Sequence, residues 1–208
     1  MQTIPLGVLL TSDLITTEES HLLVGACTQR PYLSAEEILA LDLPAKNRVE
    51  ALLRHEFLRE KQLRSLGCDF AEHVLPVFEE LAPEDFYPRA CVEAARLYTD
   101  GIIGIRLLRI ALDKAKASMQ RFRGTQHVGA FEVGWAVLLF DGEDAALMTQ
   151  EVAVCAQRAA HRKVWENRKS DLDLITGREM EATWQLKQIV GEFLKKGRFN
   201  FYRKDDAE

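Results

Sequence analysis

Apolar residues recur along most of this chain with the spacing of a helix face rather than with strand alternation. Leu63, Leu66, Phe70, Val74, Val77 and Leu81 form one such stripe over residues 60–81. Residues 102–122 repeat the pattern with Leu107, Ile110, Ala111, Ala115, Met119 and Phe122. Residues 143–168 do so with Met148, Val152, Cys155, Ala156 and Ala159, where the alanines permit close helix approach. Residues 178–196 carry Leu186, Ile189, Val190 and Phe193 and close on Lys195, Lys196 and Gly197, the cations and glycine expected at a helix end. No proline follows Pro88, so long helices are permitted from there onward.

Punctuation refines the picture. Ser34 and Glu37 have the spacing of a capping box ahead of a short helix, and Pro44 suits the first position of the next. Glu50 precedes Arg54 by four residues, the favourable order for an intrahelical pair. Pro76 falls inside the 60–81 pattern and predicts a kink around Glu72 to Pro76. Pro83 and Pro88 bracket a loop, with Pro88 opening a helix that ends at Gly101. Residues 125–140 are ambiguous, because Gly129 and Gly134 each weaken a helix by about 1 kcal/mol relative to alanine and Val133–Phe140 also reads as a buried strand. A tightly packed helix is expected, since no second convincing strand exists to pair with it. The expected fold is all-α, one multi-helical domain of about seven to nine helices over residues 1–198, with 199–208 as a mobile tail and docking through Phe199, Phe201 and Tyr202 as the alternative.

A length of 208 residues with 47% hydrophobic and 28% charged content suits a globular protein with a real core. The net charge of −5 argues against nucleic acid and anionic membranes as partners. Cys27, Cys68, Cys91 and Cys155 are scattered, form no CxxC pair and read as reduced small hydrophobes. The N-terminal apolar run MQTIPLGVLLTSD lacks a preceding basic residue and is too short to span a bilayer. A soluble cytoplasmic protein is the expectation.

Candidate chemistry is sparse. Gly129 and Gly134 have P-loop spacing, but Trp135 stands where the lysine is required. Glu18 and His21 match half of a helical di-metal site, and no second half exists, so neither metal nor cofactor is expected. Asp69, Glu72, His73 and Glu79 share one face of the 60–81 helix. They read either as an acid–base group beside a kink or, more simply, as a solvated face with Asp69 and His73 paired. Arg89, Glu93 and Arg96 have intrahelical pair spacing, with an interhelical network to Asp69 or Glu72 as the alternative. Arg158, His161, Arg162, Lys163, Arg168 and Lys169 read as a solvated basic face, with anion binding as the alternative.

The run Cys68-Asp69-Phe70-Ala71-Glu72-His73-Val74-Leu75-Pro76-Val77-Phe78-Glu79 resembles the signature of a family of bacterial immunity proteins, whose members are predicted to neutralise toxins of polymorphic toxin systems. It continues through Pro83, Asp85, Pro88-Arg89, Val92-Glu93-Ala94-Ala95-Arg96 and Gly101, with Leu52-Leu53-Arg54 and Glu60-Lys61-Gln62-Leu63-Arg64 upstream. Glu181, Trp184, Gln185 and Leu194 are similar to the family's closing helix. The resemblance covers residues 43–101 well and 178–195 moderately and is weak between them; Tyr87 departs from the pattern where a basic residue is expected.

It implies a helical, noncatalytic protein that occupies a cognate toxin, with Asp69, Glu72, His73, Arg89, Glu93 and Arg96 as the binding residues and the carboxylates Asp69, Glu72, Glu79 and Glu80 complementing a basic surface. The rival reading is an enzyme or small-ligand binder with a polar pocket around Asp69, Glu72, His73, Arg89 and Glu93. A third is a homo-oligomeric scaffold joined through an apolar helix face.

Overall fold

The computed structural model describes residues 3–5, 32–125, 127–166 and 172–195. Among these, eight α-helices carry the fold: α1 Ala35–Ala40, α2 Ala45–Leu52, α3 Glu60–Glu79, α4 Tyr87–Thr99, α5 Ile105–Met119, α6 Val128–Leu138, α7 Ala145–Glu166 and α8 Leu172–Lys195. Two three-residue strands, β1 (Thr3–Pro5) and β2 (Tyr32–Ser34), pair antiparallel with Ile4 opposite Leu33. Both of those side chains are buried. So short and separated a pair leaves no period in the sequence, and it was not expected.

The apolar stripe of α3 makes it the central element. Leu63, Leu66, Phe70, Val74, Leu75 and Phe78 are buried, and the helix packs against α4, α6, α7 and α8. The helix runs through Pro76 to Glu79 without breaking. Pro76 itself is exposed, so water can reach the backbone acceptor freed by its missing N–H. Arg64 is buried along with the stripe because its guanidinium has partners: Nε donates to Glu60 at 3.0 Å, and Nη2 donates to the carbonyls of Gly142 and Glu143 at 3.1 and 3.2 Å. It ties α3 to the turn before α7. Asp144 opens α7 by accepting from the amides of Ala146 and Leu147, and these bonds, with His55 beside them, hold its carboxyl below the usual range.

Most of the expected punctuation holds. Ser34 and Glu37 form the capping box of α1, and Pro88 lies in the first turn of α4, which is followed by Gly101 at a φ of +74°. Pro44 is the N-cap of α2 rather than its first residue, and α2 ends at Leu52, before Arg54. Residues 128–138 are the expected packed helix. A methyl group at Gly134 would fall on the thioether end of buried Met119 from α5, so that flexible side chain would have to move aside. On α5 the first part of the expected stripe is corrected: Leu107 and Ile110 are exposed and Leu108 and Leu112 face inward in their place, while Ala115, Met119 and Phe122 are buried as expected. In the first half of that helix two stripes lie one or two residues apart, and packing against α4 and α6 selects the one through Leu108 and Leu112. Helix α8 begins at Leu172, six positions ahead of the expectation. Lys196, Gly197, the tail 199–208, Cys27, Glu18, His21, Arg168 and Lys169 lie outside the described residues.

Candidate functional site

Asp69, Glu72 and Glu79 project from α3 toward Arg89 and Arg96 of α4. Arg96 Nη2 reaches Asp69 Oδ1 at 2.8 Å and also donates to Glu72 Oε2. Arg89 grips Glu79 with two bonds, Nε to Oε1 at 2.7 Å and Nη2 to Oε2 at 2.9 Å, and Nη1 reaches Glu72 Oε1 at 3.5 Å. Glu72 therefore bridges both arginines. The hydrogen bond that Arg89 donates to Glu79 raises the Arg89 guanidinium pKa; at Arg96 burial opposes the charge, but the bonds to Glu72 and Asp69 outweigh it and the pKa also rises. The basic residues thus pair between helices, the alternative to pairing within α4. Glu93 is exposed and has no ion pair within 4 Å among the described residues.

His73 does not pair with Asp69. Its ring lies on the far edge of α3, stacked on Trp184 of α8 at 3.7 Å and 5°. Its Nδ1 is 2.8 Å from Glu181 Oε2, a carboxylate only 3% exposed. The other Glu181 oxygen accepts from Gln185 Nε2 at 3.2 Å, and Gln185 Oε1 accepts from Gln157 Nε2 of α7 at 2.9 Å. Gln185 Nε2 also donates to the Ala153 carbonyl. A chain of polar groups thus joins α3, α7 and α8 through an otherwise apolar layer, and each buried member has a partner. His73, Glu181 and Trp184 line a groove of about 440 Å³ with Val77, Val164 and Met180. Glu181, Trp184 and Gln185 were legible only as parts of a closing helix. Their polar character at buried positions is the signal that could have found the network.

A second groove, about 580 Å³, runs between α6 and α7 and was missed. Phe131, Trp135, Leu139 and Leu147 form its apolar lining, with Glu50, Glu132, Glu151 and Arg158 among its polar residues. Trp135, at first notable only for spoiling a P-loop, is 49% exposed there and meets Phe131 edge to face. Burial pushes the Glu132 carboxyl up, against the pull of Arg158 and Arg162. Neither groove is lined by Asp69, Glu72, Arg89, Glu93 or Arg96.

Burial pushes the thiols of Cys68, Cys91 and Cys155 up to about 12, so they are protonated near neutrality. Lys163 of the basic cluster is ion-paired with Glu80. No helix among the described residues is long and apolar enough to cross a membrane.

These features define an all-α protein in which a set of ionisable side chains joins helices and aromatic side chains stand in surface grooves. Residues 56–190 match the family described as Imm-5 like putative immunity protein, and the chain belongs to that family. The match includes the signature in α3 and α4, reaches into α8, and takes in the middle segment where the resemblance was weak. Neither the curated proteins nor the solved structures gave a match.

Proposed function

We propose that this protein is a noncatalytic immunity protein that binds and neutralises a cognate bacterial toxin in the cytoplasm of the cell that makes both. Membership of the immunity family over residues 56–190 carries this reading. The state of the ionisable groups supports it. Asp69, Glu72 and Glu79 are ion-paired with Arg89 and Arg96, and His73 is engaged by Glu181 and Trp184, so the acid–imidazole group that suggested an enzyme is dispersed.

In this reading Asp69, Glu72, His73, Arg89, Glu93 and Arg96 contribute a half-exposed polar rim that sets orientation and rate of approach, rather than a reactive centre. Co-expression with the products of adjacent genes is the test. One of those products should arrest growth when expressed alone, lose its effect with this protein, and co-purify with it. If no neighbouring product is toxic, or the toxic one neither binds nor is silenced, the reading fails.

A further inference from the structure

The α6–α7 groove differs in kind from the α3–α4 face. Across α3 and α4 the carboxylates Asp69, Glu72 and Glu79 are matched by guanidinium groups. In the groove Glu132 and Glu151 make no ion pair within 4 Å among the described residues, although both border the same apolar lining. Glu50 lines it as well, and Arg158 is the one cation among its lining residues. Trp135 and Leu147, about half exposed, form a surface that water covers poorly, in a concavity of about 580 Å³. An indole face beside carboxylates is the environment that holds a cationic side chain, because the ring quadrupole and the acids attract the same charge. Tryptophan is also among the residue types enriched at interface hot spots.

We infer that this groove receives a lysine or arginine side chain of a partner protein, its cation seated against Trp135 and between Glu132 and Glu151. The inference rests on the reading of the protein as a toxin binder and adds the anchoring surface and the chemistry of the partner's contact. Burial pushes the Glu132 carboxyl up even with Arg158 and Arg162 acting on it, so a further cation at the groove would favour its ionised form.

The test uses the full chain, ¹⁵N-labelled, titrated with the blocked tripeptide acetyl-Gly-Arg-Gly-amide and with its citrulline analogue, which keeps the shape and removes the charge. The arginine peptide should shift the indole N–H signal of Trp135, assigned by its loss in Trp135→Phe, at concentrations up to roughly 10 mM. Citrulline should leave it in place, and the Glu132→Gln, Glu151→Gln double variant should bind at least about fivefold more weakly. No shift, an equal shift with citrulline, or unchanged affinity in the double variant overturns the inference. Co-expression separates this from the wider reading. If wild type silences a neighbouring toxin and folded Trp135→Ala and the double variant do so equally well, the groove is not the anchor and the immunity reading stands. If wild type silences none, the immunity reading falls and the peptide titration alone judges the groove.

Discussion

Glu181 is a buried carboxylate whose two oxygens are shared between an imidazole on α3 and an amide on its own helix. Replacing it with alanine leaves His73 Nδ1 without its partner, removes one bond from Gln185, and opens a gap beneath Trp184. Glu181→Ala should lower unfolding free energy by about 2–3 kcal/mol in urea titrations, with Glu181→Gln costing less; a change under about 0.5 kcal/mol would show the network to be marginal. Glu132 has the opposite sign. A carboxyl whose folded pKa lies above its ordinary 4.5 is penalised when ionised, so the penalty is absent below that value and complete above the raised folded pKa. Glu132→Gln should therefore stabilise the protein at neutral pH and lose that advantage as pH falls through the raised folded pKa to 4.5, below which none is left. Urea midpoints compared at the two ends of that window decide it; a gain that is the same at both ends excludes ionisation as the cause. The same change weakens the proposed cation seat, so stability and binding pull in opposite directions at one residue.

At the scale of elements, the α3–α4 pair depends on charges that are each about one-third to one-half exposed. Such pairs are individually weak, but Glu72 couples them into a network. Arg96→Ala takes from Asp69 its ion pair with Arg96 and leaves Glu72 with the 3.5 Å contact to Arg89. The expected loss is about 1 kcal/mol at low ionic strength, shrinking toward zero near 1 M salt, where the Debye length falls to about 3 Å. A loss independent of salt would assign the role of Arg96 to packing of its aliphatic stem. These helices were readable in advance because burial of one face writes a 3.6-residue period, as along Leu63 to Phe78, and because caps such as Ser34 and Glu37 are local. What joins one helix to another was not. Arg89 and Arg96 stand at spacings that satisfy pairing within α4 as well as pairing with α3, and only the placement of Asp69, Glu72 and Glu79 beside them decides. His73 is the sharper case, since its partners Glu181 and Trp184 are more than a hundred positions away and no local rule connects them. The α6–α7 groove was hidden for the same reason: exposure of Trp135 depends on which face α6 turns to its neighbours.

For the whole molecule, the packing predicts how the chain comes apart. Helix α3 touches α4, α6, α7 and α8, while α2 packs on α8 and α5 on α4 and α6, so every helix from α2 onward reaches α3 directly or through one neighbour. Removing α4, α6, α7 or α8 would bare part of the Leu63–Phe78 stripe, and α8 leaves with Ile189 and Phe193 as well as the partners of His73 and Gln157. We propose on this ground that residues 1–198 unfold as one cooperative unit, with residues 199–208 dispensable. Trp135 on α6 and Trp184 on α8 report from opposite sides of α7 in chain order and in different grooves. In variants that keep one of these tryptophans, fluorescence and far-ultraviolet circular dichroism should follow superimposable urea curves, as a two-state transition requires. Truncation after residue 198 should shift the thermal midpoint by no more than about 2 °C. Separate midpoints for Trp135 and Trp184 would instead divide the molecule between α7 and α8, and the polar chain from His73 through Gln185 to Gln157 would then be the seam between two units rather than a fastening within one.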